Sequence, residues 1–141
     1  MKIAMLQTSV GFDKAENLQN AARAVAWAAG AGADAAVLPE MFACPYSNGY
    51  FPAYAEEGLS PTRTALAEMA ARHKIWLVGG SMPEREGARI YNTSFVYDDA
   101  GREVARHRKV HLFDIDVQGG QRFFESETFT PGDSKIGRAH V

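Results

Sequence analysis

Cysteine is almost absent from this chain: Cys44 is the only one in 141 residues. A lone thiol excludes an internal disulfide framework and any zinc site built from several cysteines. Long apolar runs are missing too. The opening stretch Met1 to Gln7 carries one lysine and is too short for a secretory leader or a membrane span, so the cytoplasm is the expected compartment and a membrane is not an expected partner. Charge of one sign is not in excess, since 15 Lys and Arg stand against 17 Asp and Glu for a formal net charge of -2. With the basic residues scattered among acids, no face would track a phosphate backbone, which argues against a nucleic-acid partner. Gly79-Gly80 and Gly119-Gly120 lack the setting of a Gly-rich loop entering a helix. His73 reads as a helix-end residue favourable to the dipole, and His107 and His111 as structural, because no carboxylate or cysteine stands at ligand spacing. No metal, nucleotide or flavin is therefore expected. What remains, 46% hydrophobic and 23% charged, suits one soluble globular domain able to bury a core.

The pattern of elements is α/β. Lys2 to Gln7 reads as a short strand, and Gly11-Phe12 turns the chain. Asp13 and Glu16 have the spacing of a capping box, and Leu18, Ala22, Val25 and Ala29 recur at helical spacing up to Gly30. Asp34 to Leu38 is short and apolar, which predicts a second strand, parallel to the first and joined by a βαβ crossover. Residues 41 to 60, with Tyr46, Tyr50, Phe51 and Tyr54, read as an ordered aromatic loop. Ser60-Pro61 restarts a helix with Leu66, Met69 and Ala70 inward. Ile75 to Val78 is the third strand. Tyr91 to Tyr97, a turn at Asp98 to Gly101, and Glu103 to Arg108 predict an antiparallel hairpin. The whole predicts a mixed sheet with helices packed on it.

Chemistry-bearing residues fall at three places. Glu40 directly follows the second strand, at the carboxyl end of a parallel sheet where open α/β folds place ligand crevices. A solvated residue opening a loop would look the same. Lys109 ends the hairpin return strand within the basic cluster Arg106 to His111, which by itself most often suits a solvated strand edge. Glu125 follows Phe123-Phe124 and reads either as a carboxylate against an apolar wall or as a surface residue. Asn92-Thr93-Ser94 matches a glycosylation sequon, which on a cytosolic strand is accidental.

A resemblance links these residues. Leu38-Pro39-Glu40-Met41-Phe42, Gly79-Gly80-Ser81-Met82-Pro83-Glu84, Tyr91-Asn92-Thr93, Arg108 to Asp116, Phe124-Glu125-Ser126 and Pro131-Gly132-Asp133 resemble, in order and spacing, the successive motifs of the carbon-nitrogen hydrolase (nitrilase) superfamily. Phe51-Pro52-Ala53-Tyr54-Ala55-Glu56 is similar to the ω-amidase branch. The resemblance covers the chain from Met1 to about Asp133 and implies a partial αββα sandwich, a mixed sheet with helices on one face, truncated to the amino-terminal half.

It also implies hydrolysis of a non-peptide C–N bond by a cysteine, a glutamate and a lysine, assisted by a second glutamate. Carried over by motif, Glu40 would be the general base, Lys109 the oxyanion-stabilising cation and Glu125 the second glutamate. Phe42, Tyr46 and Phe113, within or beside these motifs, are the candidate substrate-binding residues. The implied partner is a small carboxylate-bearing amide of the 2-oxoglutaramate type, with deaminated glutathione or an N-carbamoyl amine as the neighbouring alternative. No cofactor is implied, and the complete protein is expected to be a homo-oligomer. The family's nucleophile lies beyond Pro131-Gly132-Asp133, and this chain is expected to lack it and to be inactive alone; a non-catalytic binding module with the same fold is the alternative from another class. Cys44, before Pro45 in the aromatic loop, has no strand-to-helix elbow around it and is read as shaping the pocket. Residues 1–135 form the expected domain portion. Ile136 to Val141 are what ATCGGAAGAGCACACGTC would encode, a string that resembles the start of a sequencing adapter, so 136–141 are expected to be a non-native tail.

Overall fold

Helix and strand alternate from the amino terminus as the patterning predicts, in a computed structural model that describes residues 1–134. The expected non-native tail lies outside the described residues. In chain order the elements are β1 (Ile3–Met5), α1 (Lys14–Gly30), β2 (Ala35–Val37), α2 (Phe51–Tyr54), β3 (Glu56–Glu57), α3 (Pro61–His73), β4 (Trp76–Val78), β5 (Met82–Glu86), β6 (Arg89–Tyr97), β7 (Glu103–Arg108), β8 (Asp114–Asp116) and β9 (Arg122–Phe124), followed by a 3₁₀ turn at Glu125–Glu127.

Local chemistry starts both long helices. The Asp13 side chain accepts from the Ala15 and Glu16 amides, which otherwise have no intrahelical partner. Ser60 does the same for Arg63, and Pro61 fills the first turn, where a missing N–H is harmless. Lys74 closes α3 in the left-handed region and returns its N–H to Ala70 and Ala71. The buried stripe of α1 is Asn17, Ala21, Val25 and Ala28, one residue round from the predicted face. Asn17 takes the inner position because its side chain spans both backbone groups of Gly11, at 2.8 Å each, and so is buried without an unmet polar group.

Among the described residues, seven strands make one mixed sheet: β1, β2 and β4 run parallel, β6 pairs antiparallel with β4, β5 and β7, and β3 pairs parallel with β5. The period of two sorts its faces. Ala36, Leu77, Phe95 and Tyr97 point into a core with Val25, Leu66 and Met69 from the two helices. Burying a side chain such as Leu66 contributes roughly 1.5–3 kcal/mol. Ile3, Met5 and Trp76 stand on the opposite face at 53%, 86% and 48% exposure. Among the described residues, nothing covers this apolar part of the sheet.

A second core of Met41, Cys44, Phe51, Ile90 and Phe129 anchors the aromatic loop beside the sheet. That segment is more regular than a loop, since it contains α2 and β3. Residues 114–124, not assigned to strands from sequence, form the small β8–β9 hairpin that holds the chain leading to Glu125.

Candidate active site

Backbone geometry sets Glu40 at the end of β2. Met41, the next residue, has a φ of 53°, a left-handed conformation that a branched or bulky side chain rarely adopts. Its amide is captured by Ser81 Oγ at 3.1 Å. The turn that brings Ser81 there needs glycine: a Cβ on Gly80 would lie 2.0 Å from the Pro39 carbonyl oxygen, with φ at +59°. The strained Met41 and the close approach at Gly80 thus fix the carboxylate from both sides, as strain held in place by its surroundings does at functional sites.

Lys109 is clamped at the end of β7. Its N–H donates to the Asn92 carbonyl at 2.8 Å, and its own carbonyl accepts from Gly132 at 2.9 Å. Here too only glycine fits, because a Cβ on Gly132 would meet the Arg108 carbonyl oxygen at 2.3 Å. Glu125 opens the 3₁₀ turn, and Asp114 of β8 holds the turn by accepting from the Ser126 amide at 3.0 Å.

These three side chains, 69 and 16 positions apart in sequence, meet. Lys109 Nζ lies 2.9 Å from Glu40 Oε1 and 3.0 Å from Glu125 Oε2. Glu125 is fully buried. It is charged nonetheless: burial alone would raise its pKa, but the Tyr46 hydroxyl at 2.5 Å, the Phe113 N–H at 2.5 Å and the Lys109 ammonium together hold it below the usual carboxylate range. Burial would likewise lower Lys109, and the two carboxylates overcome it, so the ammonium is held protonated. Tyr46 is pushed upward, first by its own burial and then by Glu125, which accepts its proton in a hydrogen bond. Glu40 Oε1 faces this network, and among the described residues no donor lies on Oε2. The cleft beside it has a volume of about 300 Å³ and is walled by Val78, Ser81, Ser94 and His107, on the sheet face that the helices leave open.

Of the candidate substrate-binding residues, Tyr46 and Phe113 touch this cluster, Tyr46 through its hydroxyl and Phe113 through its backbone N–H. Phe42 does not. It is 1% exposed and packs in the helix-side core. Asn92, a motif residue with no site role expected from sequence, belongs to the site. Its Nδ2 stands 2.6 Å from Glu40 Oε1. It is 3% exposed, so the sequon around it cannot be glycosylated in this fold. Cys44 lies outside the cleft, in the second core, where burial pushes its thiol up to about 12 against a small opposing effect of Lys14. Among the described residues no group of three or more His, Cys, Asp and Glu is placed to hold a metal ion.

The family described as carbon-nitrogen hydrolase matches residues 2–140. The chain belongs to the carbon-nitrogen hydrolase family. It is 47% identical over 133 residues to an ω-amidase of Danio rerio, covering 94% of this chain and 48% of that protein. It is 46% identical to a chloroplastic ω-amidase of Arabidopsis thaliana, covering 99% of this chain and 41% of the relative. The fold matches Nit3 of Saccharomyces cerevisiae, a member of branch 10 of the nitrilase superfamily, with a TM-score of 0.81 and 35% identity over 95% of this chain and 49% of Nit3. This carbon-nitrogen hydrolase chain thus spans about half the length of the relatives it matches. Its mixed sheet, with helices on one face, is the corresponding part of the nitrilase-type fold. No helix among the described residues is long and apolar enough to cross a membrane.

Proposed function

We propose that this chain carries the acid–base half of an amidase that hydrolyses the C–N bond of a small carboxylate-bearing amide, of the 2-oxoglutaramate type, through a thioester. The observation that carries the proposal is the Glu40–Lys109 contact at 2.9 Å, with Glu40 lining the cleft and no donor on its second oxygen among the described residues. A thiol attacks an amide as thiolate, so a carboxylate must first take its proton. Glu40 Oε2 is the acceptor. The carbonyl oxygen gains charge as the C–S bond forms, and Lys109 Nζ stabilises it, a contribution of about 3 kcal/mol for one such donor. The proton on Glu40 passes to the leaving nitrogen, and ammonia departs as the C–N bond breaks. Water then gives a proton to Glu40 and attacks the thioester, which releases the carboxylic acid and returns the thiol. Glu125, held ionised, keeps the Lys109 ammonium between two carboxylates.

The nucleophile is a cysteine outside these 141 residues. Cys44 is unsuited, since its thiol is buried and its pKa is raised. The ω-amidase relatives support the substrate class, and the uncovered face at Ile3, Met5 and Trp76 supports a second sheet layer contributed by the rest of the enzyme. The cytoplasm and a homo-oligomeric assembly complete the proposal. The test compares this chain with the complete enzyme on 2-oxoglutaramate, with ammonia release as the readout. The complete enzyme should turn over and this chain should not. Ammonia release by this chain, with an acyl group trapped on Cys44, overturns the proposal.

A further inference from the structure

Asn92 hydrogen-bonds both carboxylates of the site and the backbone of Lys109. Its Nδ2 lies 2.6 Å from Glu40 Oε1 and 3.5 Å from Glu125 Oε1, while its backbone carbonyl accepts from the Lys109 amide at 2.8 Å. The orientation of its side-chain amide follows from chemistry: both partners are carboxylates, which when ionised only accept, so the NH₂ and not the oxygen faces them. The side chain has little freedom to do otherwise. It is 3% exposed, and its neighbour Thr93 is fixed on the opposite face of β6 by a 2.8 Å bond to Glu84.

Glu40 Oε1 therefore receives two donors, the Asn92 amide and the Lys109 ammonium. A carboxylate tethered through one oxygen presents the other. Lys109 alone could not do this, because an ammonium is a point charge whose three donors rotate and which is shared with Glu125. The amide adds direction without placing a second cation on Glu40.

Resting on the reading of Glu40 as the general base, we propose that Asn92 is the positioning residue that holds Glu40 by Oε1 and so assigns proton transfer to Oε2. It acts through Glu40 and not on the substrate.

The test uses the complete enzyme with Asn92→Ala, Asn92→Asp and Glu40→Gln measured side by side. Asn92→Ala removes the tether, so kcat should fall about 10- to 100-fold with KM changed less than about threefold, as expected for a misplaced catalytic group. Asn92→Asp keeps the size but sets a third carboxylate against Glu40 and Glu125. Like charge raises the pKa of the base, and the acid limb of the kcat/KM profile should move up by about one pH unit. A purely structural role would leave that limb in place. If Glu40→Gln is inactive while Asn92→Ala keeps its kcat and Asn92→Asp keeps the acid limb, the assignment of Asn92 fails and the reading of Glu40 stands. A rise in KM at constant kcat makes Asn92 a substrate-binding residue, and loss of the native circular-dichroism spectrum in both Asn92 variants makes it a folding residue; either overturns the proposal. Full turnover by Glu40→Gln removes the premise itself.

Discussion

The two faces of β6 carry two carboxylate clusters built from neighbouring residues, and they serve opposite ends. On the helix side, Glu84 accepts from Thr93 and Arg108 at 2.8 Å each and from Arg106 at 2.9 Å, so both its oxygens are used. On the open side, one residue along each strand, Asn92 and Lys109 hold Glu40 through a single oxygen. Arg108 and Lys109 are consecutive, as are Thr93 and Asn92, and the pleat alone sends them to different faces. A saturated carboxylate is a strut, and a half-saturated one can accept a proton. The same ion-pair chemistry thus gives a structural brace or a reactive group, according to how many lone pairs are left free.

The difference is tested most sharply at Glu40. Glu40→Gln in the complete enzyme keeps the shape of the side chain and removes the base, so kcat should fall by about 10²–10⁴-fold while the melting temperature changes little. A comparable loss of stability would place Glu40 with the struts.

Glu84→Gln should do the reverse. Removing one partner of a fully enclosed ion pair costs about 3–5 kcal/mol, and here the loss should be nearer 2 kcal/mol because the Arg106 side chain is 46% exposed. Denaturant melts should show the drop, while the activity per folded molecule stays close to that of the parent.

Acid separates the clusters more gently. Burial alone would raise Glu84, but Arg108, Thr93 and Arg106 hold it below its ordinary value of 4.5, and Glu125 is lowered in the same sense. A depressed native pKa contributes stability that is present above the unfolded value and lost as pH falls through the native one. Melting temperature should therefore decline as pH falls below about 5, and the decline should be shallower in Glu84→Gln, which has lost one of these contributions.

Much of this arrangement was legible in the sequence, for identifiable reasons. Asp13 and Ser60-Pro61 are capping signals that act over a few residues, and the Tyr91–Tyr97 and Glu103–Arg108 strands flank a turn whose Asp98 accepts locally from Ala100 and Arg102. What was not legible depends on distant partners. β5 runs Met82-Pro83-Glu84-Arg85-Glu86, which has neither alternation nor strand-forming residues, and it is a strand because Glu84 finds its arginines across the sheet. The β8–β9 hairpin hid in charged sequence around Gly119-Gly120. Phe42, placed beside Glu40 by motif, turns into the core because the positive φ at Met41 reverses the direction of the chain. Asn92 was visible as a motif residue, yet its partner Glu40 lies 52 positions away, and no local pattern names it.

The smallest effect is expected at Cys44, which neither cluster uses. Its side chain is packed with Met41, Phe51, Ile90 and Phe129 in the second core, and its Sγ lies 3.4 Å from the Pro45 carbonyl oxygen. Cys44→Ala deletes one buried sulfur, so the loss of stability should be of the order of 1 kcal/mol, and the complete enzyme should keep most of its turnover. A thiol raised to about 12 is almost wholly protonated at neutral pH and is not a nucleophile there. In the isolated chain, alkylation of Cys44 should accordingly track opening of the second core: slow under native conditions and fast once denaturant releases the aromatic loop. Rapid alkylation of the folded chain, together with loss of turnover in Cys44→Ala, would move Cys44 from the core to the chemistry and erase the contrast between a buried thiol and a working site 4 positions from it in sequence.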